Sequence, residues 1–180
     1  LWPIYSIGYF LFRDVLGANP VEFIERHFGQ WTLIFLCLTL AMTPLRKLTK
    51  IPIWMSYRRM LGLFTFFFAT IHLLTYLVID YQFAWDDIKL DIIKHRYVLV
   101  GFLAWILLVP LAVTSTGKMM QRLKKRWKML HSLVYLIAIL GIFHFFWLIK
   151  KDMTQPVIYA IIIGILLMMR VNFKIKTKNH

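Results

Sequence analysis

The chain has one cysteine, Cys37, so no intrachain disulfide is available to it. Acids are scarce: eight Asp and Glu stand against 22 Lys and Arg. None of them lies in the apolar runs around His72 and His144. No GxGxxG or GxxxxGK[ST] pattern occurs, which excludes dinucleotide binding at a Rossmann turn and nucleotide hydrolysis at a P-loop. Zinc would require His, Cys or carboxylate ligands in clusters, and none cluster in the sequence. There is no Ser/Gly linker, low-complexity tract or internal repeat.

Apolar residues dominate what remains. They make up 60% of the 180 residues, in runs of spanning length divided by short charged clusters, a layout that suits a bilayer rather than a soluble core. At about 20 residues per span the chain has room for six helices and no separate globular domain. The predicted spans are 1–16, 29–45, 58–79, 97–115, 129–149 and 155–171. The fold class is thus an all-α integral membrane protein, a six-helix transmembrane bundle forming one domain over residues 1–180. The first run opens at Leu1 without an initiator Met, so the natural N-terminus is expected to lie further upstream. Pro44, Pro52 and Pro156 mark span ends, while Pro110 falls inside the fourth span.

Charge gives the orientation. Assigning alternate loops to opposite sides puts fifteen bases, from Arg46 through the Lys124–Lys128 cluster to Lys178, on one side with no acid; all eight acids share the other side with seven bases. The positive-inside rule makes the all-basic side cytoplasmic, with both termini there. The net charge of +14 is accordingly a matter of topology and lipid contact, not of nucleic-acid binding. Trp31, Trp54, Trp85 and Trp147 fall near predicted interfaces as belt anchors.

Three histidines carry the chemistry. His72 and His144 fall at matching depth in the outer half of two spans, and His131 at a cytoplasmic mouth. A buried imidazole needs a partner, and with no intramembrane carboxylate to provide one, haem iron is the simplest. His72 and His144 are therefore predicted to ligate one haem. A hydrogen bond to a hydroxyl or carbonyl of a neighbouring helix is the alternative. His131 and His144 are about 140° apart around a straight helix, so either the helix is distorted, with Gly141 as a candidate, or the two rings face different neighbours. His27, His95 and His180 are expected in loops or the tail, and Cys37 as a small hydrophobe.

Several segments together resemble a known family: LGANP at 16–20, TPLR at 43–46, RRMLGL at 58–63, HLLTY at 72–76, LAVTST at 111–116, LHSLVYL at 130–136 and FHFFW at 143–147. They are similar to the MsrQ (YedZ) family, haem-binding membrane subunits of bacterial periplasmic methionine sulfoxide reductase systems, within the ferric-reductase-like transmembrane superfamily. The resemblance implies haem b at His72, His144 and His131, electrons drawn from membrane quinol, FMN as an associated cofactor, and delivery to MsrP, a periplasmic molybdopterin reductase. Related oxidases carry a further histidine where this chain has Arg58. The inner position of His131 thus lacks a histidine partner, and Arg58 with Arg59 becomes a candidate inner cofactor or quinone site, unless these arginines serve only topology. The functional expectation is an electron conduit in the bacterial inner membrane with no bond-making catalysis of its own. The alternatives are a ferric or oxygen reductase and, from another class, a small transporter or channel without haem.

Overall fold

The computed structural model describes residues 2–13, 19–149 and 152–176; for Leu11, Phe12 and residues 171–176 it describes the backbone alone. The described residues form helices α1 (Trp2–Phe12), α2 (Pro20–Thr49), α3 (Trp54–Leu74), α4 (Trp85–Lys94), α5 (Arg96–Val113), α6 (Gly117–Leu123), α7 (Lys125–Leu130), α8 (Leu133–Leu148) and α9 (Thr154–Lys176), with a π-helical continuation of α3 over Thr75–Asp80. Four segments are long and apolar enough to cross a membrane: Pro20–Thr49, Trp54–Asp80, Arg96–Val113 and Lys125–Leu148. They correspond to the four central predicted spans. The first predicted span appears as the 11-residue α1. The last appears as α9, whose apolar part runs from Thr154 to Arg170.

The largest boundary difference is at α2, which starts at Pro20 and not at 29. Asn19 accepts a hydrogen bond from the Glu22 backbone N–H at 3.2 Å, and Pro20 occupies a first-turn position where its missing N–H costs nothing. These residues are the end of the LGANP segment. The apolar run begins later because Glu22, Glu25 and Arg26 form the first polar turns. His27 consequently lies within this helix, which corrects its assignment to a loop. Its Nε2 meets the Ser6 hydroxyl and the Pro3 carbonyl, each at 3.1 Å, joining α1 to α2. His95 does lie at a junction, between α4 and α5, whereas His180 is outside the described residues.

Pro44 is inside α2. Having no N–H, it leaves the Leu40 carbonyl one turn earlier without its helical donor. Arg170 of α9 provides the replacement: its guanidinium donates to the Leu40 carbonyl at 2.7 Å and to the Tyr135 hydroxyl of α8 at 2.9 Å. A proline gap in one helix is thereby closed by an arginine from another, which explains a buried cation with no carboxylate beside it among the described residues.

Packing joins α2 to α3, α5 to α8, and α9 onto α2 and α8. Leu40, Ala69, Leu108, Ile137, Ala138 and Ile163 are buried at their meeting, the alanines letting helices approach closely. The outer faces stay apolar: Leu63, Phe67, Leu103, Ile106, Leu136 and Phe143 are all exposed, as expected where lipid is the solvent. Buried threonines return their hydroxyl hydrogens to carbonyls four residues back, as Thr39 does to Phe35 and Thr65 to Leu61. No hydroxyl at these positions asks for water.

A candidate two-histidine cofactor cavity

His72 of α3 and His144 of α8 face one another with ring centroids 6.2 Å apart and planes at 80°. Both line a cavity of about 680 Å³ enclosed by α2, α3, α5 and α8. The structure brings together the two residues that the sequence placed at equal depth. The Nδ1 of His72 donates to the Glu25 carbonyl at 2.9 Å, and that of His144 to the Tyr97 carbonyl at 2.7 Å. A carbonyl oxygen only accepts, so Nδ1 carries the proton and a neutral ring keeps its lone pair on Nε2. That is the tautomer of a metal ligand, with its second nitrogen fixed by the protein.

Each ring reaches its carbonyl across a glycine. A Cβ on Gly29 would lie 3.4 Å from His72 Cε1, and one on Gly101 would lie 2.8 Å from His144 Cε1 and Nδ1. The two halves of the site correspond: one constant shift along the chain carries Glu25, Gly29 and His72 onto Tyr97, Gly101 and His144. Carbonyl and histidine are 47 residues apart in both halves. Overall sequence similarity reveals no repeat; the structure shows a two-fold correspondence between the pairs α2–α3 and α5–α8. The two glycines were missed in the sequence, although the equal Gly-to-His spacing in both halves was a readable signal.

His131 does not join this cavity. It sits at the break between α7 and α8, stacked on Trp127 with centroids 3.9 Å apart. The Thr114 hydroxyl donates to the Pro110 carbonyl at 2.6 Å and meets His131 Nε2 at 3.0 Å. Since the hydroxyl proton is committed to Pro110, Thr114 accepts from His131, which leaves Nδ1 with the lone pair. Helix α8 is interrupted at His131–Ser132 and continuous through Gly141, so of the two readings of the angular mismatch, His131 and His144 do face different neighbours. Half-buried Arg58 acts electrostatically on His131 and on Arg170; Arg59 is exposed.

The charged end of the cavity is capped by the turn after the π-helical segment and by α4. Asp91 accepts hydrogen bonds from the Tyr76 hydroxyl at 2.8 Å and from His95 Nδ1 at 2.7 Å. Burial works to raise the Asp91 pKa, but the bonds from Tyr76, His95 and Tyr81 outweigh it and hold the carboxyl below its usual range. With the folded value below the unfolded one, the stabilisation is complete above the ordinary aspartate pKa of about 4 and disappears as pH falls through the folded value. Amide protection factors over residues 75–95, corrected for the intrinsic pH dependence of exchange, should therefore be constant from neutral pH to about 5 and fall below about 4. In Asp91→Asn the exchange should be faster at neutral pH and lack this acid step.

The fold and the paired histidines define a helical membrane protein with a bis-imidazole cavity, and residues 28–142 match the family profile of the ferric reductase like transmembrane component. The chain is 49% identical over 174 residues to the protein-methionine-sulfoxide reductase heme-binding subunit MsrQ of Herminiimonas arsenicoxydans, covering 95% of this chain and 80% of that protein. It is 46% identical over 177 residues to the protein of the same name in Xanthomonas euvesicatoria, covering 98% and 79%. The figures for Xanthomonas campestris pv. campestris strain B100 are 51% over 158 residues, covering 88% and 72%. The chain belongs to the MsrQ family. No solved structure matches it.

Proposed function

We propose that the chain carries haem b between His72 and His144 and conducts electrons across a bacterial inner membrane. The facing imidazoles carry this reading. Two imidazole nitrogens that shared one iron at about 2 Å each would have ring centroids about 6 Å apart, and 6.2 Å separates this pair. The cavity is of cofactor size, within the usual range of about 300–1,000 Å³, and Leu33, Leu36, Ala69, Leu108 and Ile137 give it apolar walls. With Cys37 the lone cysteine, attachment is non-covalent. When bound, haem supplies one-electron chemistry. The chain supplies two ligands that hold iron in either oxidation state, carbonyls that orient them and raise their basicity, and walls that exclude water.

The wider role follows from the family and the charge pattern. α1 and α9 complete a six-span bundle whose basic end and both termini are cytoplasmic. Membrane quinol delivers electrons there, and an MsrP-like periplasmic molybdopterin reductase receives them at the acidic end for repair of oxidised methionine. His131, with Arg58 acting on it electrostatically and Arg59 next in the chain, serves the entry side, where a second haem, FMN or a quinone headgroup is held. The lone pair on His131 Nδ1 and the acid-free surroundings support this assignment.

The test is anaerobic mixing of the purified protein in lipid nanodiscs with quinol, followed optically. His131→Ala should slow quinol-driven reduction severalfold while leaving the low-spin haem of the His72–His144 pair intact. An unchanged rate and unchanged haem content would remove His131 from the entry path.

A further inference from the structure

The cavity between His72 and His144 is apolar toward one end and strongly acidic toward the other. Glu22, Glu25, Asp80, Asp91 and Asp152 all line it, and among the described lining residues Arg26 is the one cation. Arg26 stands one turn from Gly29 on α2, the helix whose Glu25 carbonyl holds His72. The two-fold correspondence that relates the histidines places Val98 opposite Arg26. Both line the cavity, so its positive charge is on one side only.

Arg26 is also held in place. Its Nη2 pairs with Glu22 Oε1 at 2.5 Å, while the other Glu22 oxygen receives the Asn19 side-chain amide at 3.4 Å. Asn19 in turn caps α2 through the Glu22 backbone N–H. The Asn-Pro start of α2, which the electron path itself does not require, thus fixes a glutamate that holds the arginine at the cavity rim. Both side chains of the pair are half exposed, so the arginine can exchange this partner for another anion at modest cost.

A porphyrin of the b type brings two carboxylates on one edge. Its apolar edge suits the leucine-lined end of the cavity, which directs the carboxylates to the end already holding five acids. Coulomb repulsion from those acids opposes them, and among the described lining residues Arg26 is the attraction. We propose that Arg26 binds a haem propionate and thereby sets the rotational orientation of the porphyrin, with Glu22 as the partner that holds the guanidinium when no propionate is present. This rests on the assignment of haem to the His72–His144 pair.

The experiment separates the two ideas. Apo-protein in detergent is titrated with iron protoporphyrin IX and, separately, with its dimethyl ester, which keeps the ring and iron but has no propionate charge. The parent should bind the free acid roughly tenfold more tightly than the ester. Arg26→Gln should lose that preference and still give the low-spin bis-histidine spectrum, and Arg26→Lys should retain most of it. Glu22→Gln, which frees the arginine, should enlarge it and keeps the test available if Arg26→Gln fails to fold. A normal low-spin spectrum with the same acid preference in Arg26→Gln as in the parent, or no preference in the parent, or no enlargement in Glu22→Gln, overturns the role of Arg26 and leaves the histidine assignment standing. Absence of a low-spin spectrum from the parent with either porphyrin overturns both.

Discussion

Replacing His72 or His144 with alanine should abolish the low-spin haem signal and reduce haem content at least about tenfold, while the helical content and detergent-solubilised size of the protein stay as in the parent. Each ring reaches a backbone carbonyl on a different helix, His72 on α2 and His144 on α5, so the two substitutions break opposite walls of the same cavity. They should nonetheless have the same spectroscopic result, because a bis-imidazole centre fails when either ligand is lost. Residual haem in either variant should be high-spin, with one axial position open. Optical and paramagnetic resonance spectra of the two purified variants provide the check. An unchanged low-spin spectrum in one would exclude that residue as a ligand.

Gly101→Ala should be nearly as damaging as loss of His144, whereas Gly29→Ala should be tolerated. A methyl group on Gly101 would lie 2.8 Å from two atoms of the His144 ring, closer than carbon–carbon or carbon–nitrogen contact permits. The ring must move, and the bond from Nδ1 to Tyr97 is broken with it. The corresponding methyl on Gly29 would meet His72 at 3.4 Å, which a shift of a few tenths of an ångström relieves. The expected result for Gly101→Ala is a high-spin or haem-poor protein, and for Gly29→Ala a low-spin haem with altered potential. Equal spectra from the two variants would contradict the close packing of His144 on α5.

The histidines were legible because nothing else in their apolar runs could partner them. The expectation that no carboxylate lies within reach does not hold, because Glu25 of the long apolar helix α2 lines the histidine cavity together with Glu22, Asp80, Asp91 and Asp152. The approximate places of the four long apolar helices followed from hydropathy, but the start of α2 did not, since its first polar turns are held by the Asn19 cap and carry no apolar signal. His27 was misplaced for the same reason. Its partners, Ser6 and the Pro3 carbonyl, are remote in sequence and invisible to a reading of local pattern. Arg170 read as one more base at a cytoplasmic helix end, although its contact is with a carbonyl released by Pro44 on another helix. The carbonyl and glycine halves of the site were missed because their signal is a spacing repeated between two helix pairs, α2–α3 and α5–α8, far apart in the chain. Each isolated glycine looks like any small residue in a membrane span.

The most direct test of the account is the ferric spectrum of the purified parent protein, recorded optically and by paramagnetic resonance at low temperature. The account predicts a low-spin, six-coordinate haem with two imidazole ligands. With ring planes at 80°, the resonance should be of the strongly anisotropic type given by near-perpendicular imidazoles. A protein purified with its lipids that binds no haem, or binds one in a five-coordinate high-spin state alone, would contradict it.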